Sequence, residues 1–109
     1  MEERRTEPRM LCADMVDIVW REPGGKLRRE TALLEDISHS GACLQLERAL
    51  PVGAVVRWRS PGQEFRGRVT HCVYREIGYF AGVEFDERSK WRCETFTPQH
   101  LLDLAKLAR

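Results

Sequence analysis

The sequence predicts a mainly β protein, an antiparallel barrel or sandwich, and three observations carry that prediction. Runs of alternating apolar and polar residues recur, most plainly Tyr79, Ala81, Val83 and Phe85 on one face of a single strand. Pro and Gly clusters punctuate these runs at Glu22-Pro23-Gly24-Gly25, Pro51-Val52-Gly53 and Ser60-Pro61-Gly62. No segment repeats, and helical spacing emerges only after Thr97.

The first strand runs from Met10 to Trp20. Cys12, Val16, Ile18 and Trp20 share one alternating face and Leu11, Ala13, Met15 and Val19 the other, so a long, bent strand is expected. The Pro23-Gly24-Gly25 turn sends Lys26 to Leu34 back as the second strand. Ala42 to Leu46 forms the third and Ala54 to Arg59 the fourth. The fifth extends from Glu64 to Tyr74, with Phe65, Val69 and Val73 inward and Gly67 at a bulge or a close approach of neighbouring backbone. Gly78 turns the chain into the sixth. Residues 86 to 96 are charged and irregular, with Trp91 and Phe96 as anchors onto the barrel. Thr97 then suits an N-cap, Pro98 the first helical position, and Leu101, Leu104, Ala105 and Ala108 recur at helical spacing, which predicts an amphipathic helix over 98–108.

A chain of 109 residues has room for one domain with a single modest core. The expected division is an arm over 1–9, a barrel over 10–85 and the helix over 97–108. Eighteen basic and seventeen acidic side chains leave a net charge of +1, which argues against a general polyanion binder and confines any anion site to a local cluster. The N-terminus is charged from Glu2 to Arg9 without an apolar run behind it, and no stretch is long enough to span a bilayer, so a cytoplasmic location is expected. Cys12, Cys43, Cys72 and Cys93 are widely spaced and read as buried or half-buried free thiols; a zinc site from Cys93 and His100 lacks ligand spacing.

Two stretches carry chemistry. In Glu35-Asp36-Ile37-Ser38-His39-Ser40-Gly41 a carboxylate, a hydroxyl and a glycine precede a strand, a pattern that makes either a good turn or a fixed acceptor and donor pair suited to a purine edge. Near the N-terminus, Arg5-Thr6-Glu7-Pro8-Arg9 places two guanidiniums four apart around a proline that disfavours helix. Planar guanidinium forks suit phosphate oxygens and the O6/N7 edge of guanine, whereas most short charged termini are merely solvated.

Together the two stretches resemble the PilZ domain family, whose signature is RxxxR followed some thirty residues on by [D/N]xSxxG. Arg5 and Arg9 fill the first motif, and Asp36, Ser38 and Gly41 fill the second. The resemblance covers residues 4 to 108 and takes in Gly82-Val83-Glu84-Phe85. It implies a six-stranded antiparallel barrel that binds the bacterial messenger cyclic di-GMP and acts as an adaptor toward an effector protein the sequence does not name. Arg4, Arg5 and Arg9 are then expected at phosphate and the guanine edge, Asp36 at guanine N1–H and N2–H, and Ser38 at a base or phosphate oxygen. Gly41 would let backbone approach the ligand. His39 and His71 would be peripheral contacts, His71 where family members often carry a base-stacking aromatic. Arg4, the extra basic residue, is compatible with an intercalated ligand dimer. The arm is expected to order only when ligand arrives.

The resemblance implies no cofactor, no metal and no membrane insertion. Two other readings compete. One is a PilZ-like module that works through protein contacts alone. The other is a single-stranded nucleic-acid binder, suggested by Arg57-Trp58-Arg59 and the arginines at 66 and 68. An enzyme is the least supported, because the Asp36, Ser38 and His39 cluster is too local to aim three groups at one bond.

Overall fold

A computed structural model describes residues 8–99 and 102–103. Among them are the strands β1 (Met10–Arg21), β2 (Leu27–Ile37), β3 (Gly41–Leu46), β4 (Val55–Ser60), β5 (Gln63–Arg75), β6 (Gly78–Phe85) and the two-residue β7 (Leu102–Asp103), with a 3-10 turn at Glu87–Ser89. Their order is β2-β3-β6-β5-β4-β1-β7, and β1 also pairs with β2, so the first six strands close an antiparallel barrel. Closure removes the free edges that an open sheet of this size would present, except along the start of β1, which pairs with β4 only at Val19 and Trp20.

The inward faces follow the alternation in the sequence. Ile18, Leu34, Ile37, Leu44, Val56, Phe65, Val69 and Ala81 are all at most 1% exposed. The aromatic residues pack as a group, with Trp58 stacked on Phe65 at 5.2 Å and Phe85 at 5.0 Å from Phe65. Trp91 and Phe96 anchor the irregular segment as expected. Trp91 Nε1 donates to the Phe96 carbonyl at 2.8 Å, and the Phe96 ring lies edge-on to Phe65 at 5.8 Å.

Bulges bend the strands and shift the phase of the side chains. Between Val69↔Val83 and His71↔Gly82, β5 has one extra residue. Beyond it Cys72 packs against the core and Val73 is 42% exposed, so the inward position expected for Val73 is corrected by the bulge. Gly67 has no bulge; a Cβ there would sit 2.5 Å from the Glu84 carbonyl oxygen, so the close approach of backbone is the reason for glycine.

The helix expected over 98–108 is a second correction. Pro98 and Gln99 are not helical, and Leu102–Asp103 pair with Leu11 and Met10 of β1. The Thr97 hydroxyl donates backward to the Cys93 carbonyl at 2.9 Å, while the Gln99 N–H donates to Asp14 Oδ1 at 2.7 Å. The groups that would have started the helix are thereby used to lay the chain along the free edge of β1. His100, Leu101 and residues 104–109 lie outside the described residues. Among the described residues no helix is long and apolar enough to cross a membrane.

Candidate functional site

The carboxylate of the second motif sits on a strand, since β2 runs three residues past Leu34, the end expected from sequence. Asp36 faces Leu11 across β1 and Cys43 across β3. Glu35 is the extra residue of a bulge in β2, between Leu34↔Leu44 and Asp36↔Cys43. The turn proper is short. Ser38 N–H donates to the Gly41 carbonyl at 2.8 Å and its hydroxyl reaches the same oxygen at 3.4 Å, and the side chain is buried. Ser38 therefore holds the turn together.

Gly41 answers to its neighbour strand. A Cβ there would lie 2.5 Å from the Val83 carbonyl oxygen, so any larger residue would push β3 from β6. His39 is tied to the segment beyond the barrel: Trp91 N–H donates to the His39 carbonyl at 2.8 Å, and His39 Nδ1 lies 3.0 Å from the Trp91 carbonyl. A carbonyl only accepts, so the proton of that contact belongs to Nδ1. Ser40 accepts from Phe85 N–H at 2.8 Å. The turn is thus clamped from both sides, and Asp36 projects from a rigid support.

Arg9, one residue before β1, meets that carboxylate. Its Nη2 donates to Asp36 Oδ2 at 2.6 Å across 27 residues of sequence. Asp36 is 13% exposed and Arg9 37% exposed. The pairing follows from the β1–β2 hairpin, which returns the chain so that Leu11 and Asp36 are opposite. Arg4 and Arg5 lie outside the described residues.

Asp36 also opens a row across the outer face of four strands, through Cys43 on β3 and Gly82 on β6 to His71 on β5. Three strand spacings make the row roughly 14 Å long. Gly82 is bare for a reason. The His71 imidazole occupies the space a Cβ would need there, and its Nδ1 lies 3.2 Å from the Thr70 hydroxyl. The row is therefore a low floor with a carboxylate at one end and an imidazole laid over glycine at the other.

Its electrostatics are set first by burial and then by clustered carboxylates. Burial, then the charge of Asp36, raises the Glu35 carboxyl above its usual range. The Cys43 thiol is pushed up to about 11, first by burial and then by Asp36 and Glu35, with Arg9 and Arg75 pulling the other way. Cys12 rises to about 12, through burial and then Asp14, Asp36 and Glu35. Neither thiol is ionised at neutral pH, so neither is a ready nucleophile. What the arrangement offers is a carboxylate with two acceptor oxygens beside a guanidinium fork, over a floor wide enough for a flat ring.

The four cysteines are free thiols, and Cys93 is exposed, where burial or half-burial was expected. Among the described residues no group of three or more His, Cys, Asp or Glu side chains is arranged to hold a metal ion. The nucleic-acid reading loses its platform, because Trp58 is only 3% exposed and leaves Arg57 and Arg59 outside without an accessible ring between them. Sequence reasoning missed Arg75 and the pairing of Gly82 with His71. Both depend on the extra residue in β5, for which the sequence carries no signal.

Residues 3–94 match the family described as PilZ domain. No curated protein matches the chain.

Proposed function

The chain belongs to the PilZ domain family, whose members are cyclic di-GMP receptor domains, and from that premise we propose that it binds cyclic di-GMP between its N-terminal arginines and Asp36. PilZ domains are binding and adaptor domains, not enzymes. The observation that carries the proposal is the 2.6 Å contact between Arg9 and Asp36, which joins the two motifs at one end of the outer-face row.

The chemistry runs as follows. Asp36 accepts from guanine N1–H and N2–H through its two oxygens, and Arg9 turns its fork to a phosphate or to the guanine O6/N7 edge. Arg4 and Arg5 join from the same arm. Six charges and one proline in residues 2–9 bury little apolar surface alone, so the ligand supplies the contacts that order the arm over it. His71, laid over Gly82, offers a flat face to a second ring. Ser38 and Gly41 serve by fixing the turn that carries Asp36. The ordered arm is then the feature an effector protein reads.

Calorimetric titration with cyclic di-GMP, with GTP as control, tests this directly. Saturable binding of the cyclic dinucleotide and none of GTP is expected. Absence of heat and of any shift in melting temperature with cyclic di-GMP overturns the reading and leaves a module working through protein contacts.

A further inference from the structure

Arg75 lies at the end of β5, four residues along that strand from His71, on the same outward face as the floor. It projects outward from the pair Arg75↔Gly78, and its guanidinium lies over the Phe80 ring at 5.5 Å. Phe80 is the outward residue of β6 next to Gly82 on that face, so the stack folds the long side chain back along the strand toward the floor. Among the described residues Arg75 makes no ion pair, whereas Arg59 on β4 and Arg66 on β5 itself are held by Glu64 and Asp86. A guanidinium held over an aromatic ring still has N–H donors to offer a ligand. The charges that favour ionisation of the Cys43 thiol at the centre of the floor are those of Arg9 and Arg75, which places both guanidiniums within reach of the same group.

We propose that Arg75 forms a second anion subsite of this binding face, across the Cys43 and Gly82 floor from Arg9, where it takes a phosphate of the bound dinucleotide. The proposal rests on the cyclic di-GMP reading and extends it. A ligand with two phosphates then meets one cation at the Asp36 end of the floor and another beside Gly82, over Phe80. Phe80 contributes by holding the guanidinium over its ring, so less side-chain freedom is lost when the ligand arrives. The net charge of +1 gives no general attraction for anions, and affinity has to come from such placed cations.

Titration of cyclic di-GMP into the wild-type chain, Arg9→Ala, Arg75→Ala, Arg75→Gln, Arg75→Lys and Arg59→Ala tests it. Arg75 is exposed, so its variants should melt with the wild type in the absence of ligand. Arg75→Ala and Arg75→Gln are each expected to lose about tenfold in affinity, the usual consequence of removing one charged hydrogen bond. Arg75→Lys should recover part of the loss, because an ammonium still serves a phosphate as a point charge. Arg59→Ala should leave affinity unchanged. The proposal is overturned if Arg75→Ala binds within twofold of wild type while Arg9→Ala loses tenfold. It is also overturned if Arg59→Ala loses as much as Arg75→Ala, since general charge would then explain both. A wild-type chain that binds no cyclic di-GMP removes the underlying reading, an outcome distinct from either.

Discussion

Two arginine–carboxylate pairs on this barrel use the same chemical groups and differ in their surroundings. Arg59 and Glu64 face each other across the β4–β5 hairpin, five residues apart, and are 80% and 68% exposed. Arg9 and Asp36 are 27 residues apart and 37% and 13% exposed, on a strand next to a bulge. The first pair is a by-product of register, since residues opposite one another on the outer face of a hairpin meet whatever the chain is for. The second joins the far ends of the long β1–β2 hairpin, where Leu11 stands opposite Asp36. Its carboxylate is largely withdrawn from water and fixed from behind by a clamped turn, in surroundings where burial first and the charge of Asp36 second raise the Glu35 carboxyl and the Cys43 thiol. A withdrawn, fixed acceptor of this kind differs from a pair that register alone brings together in water.

The largest expected effect therefore falls on the Arg9 and Asp36 pair. Arg9→Ala should weaken cyclic di-GMP binding at least tenfold by calorimetry, as expected when a hydrogen bond between charged groups, worth about 1.5–3 kcal/mol, is lost. Its melting temperature without ligand should fall by a few degrees at most, because a partly exposed pair contributes no more than about 1 kcal/mol to folding. Undiminished affinity would reduce this pair to the status of the other. A large loss of stability would break the contrast in the opposite direction, by making the pair a fold element.

The acidic surroundings give a test of intermediate size. Glu35 has its carboxyl raised by burial and then by the Asp36 charge, so the folded state disfavours its charged form. The destabilisation is present above the raised value and is relieved as pH falls through it, because the folded chain then binds the proton more strongly than the unfolded one. Glu35→Gln should accordingly melt higher than wild type at pH 8, by about 1–3 °C at a solvent-screened position, with the difference shrinking as the pH is lowered into the acidic range. Thermal melts at a series of pH values check this. A variant that melts lower at pH 8, or a gain that grows in acid, would mean that Glu35 is stabilised in the fold.

The barrel was legible because alternation and turn chemistry are local. Ile18, Phe65, Ala81 and Phe85 each lie on the face their spacing assigns, and the Pro and Gly clusters fall between strands. Arg9 and Asp36 were legible as motif members, and their meeting followed from the hairpin between them. What failed did so where a tertiary contact outranked a local preference. Leu101, Leu104 and Ala105 have helical spacing, yet Leu102–Asp103 pair with an edge of β1 whose backbone groups needed partners. Val73 continued a regular alternation, and one extra residue in β5 turned it outward. The same insertion set the place of His71 on Gly82 and left Arg75 to fold back over Phe80, so that arrangement could be found only once the register was known.

The smallest expected effect belongs to Arg59 and Glu64, and it is informative because it should be nearly nothing. Both side chains are mostly in water, so the Coulomb attraction is screened and the order imposed on two long side chains offsets much of what remains. A double-mutant cycle of Arg59→Ala and Glu64→Ala, read from denaturant melts, should give a coupling below about 0.5 kcal/mol that fades further in 0.5 M salt. The corresponding cycle at Arg9 and Asp36 should keep more of its coupling in salt, because ions screen a partly buried pair less. Equal couplings with equal salt dependence would mean that bulge, clamp and burial add nothing to the withdrawn pair. The case for a preorganised acceptor at Asp36 would then have to rest on ligand affinity alone.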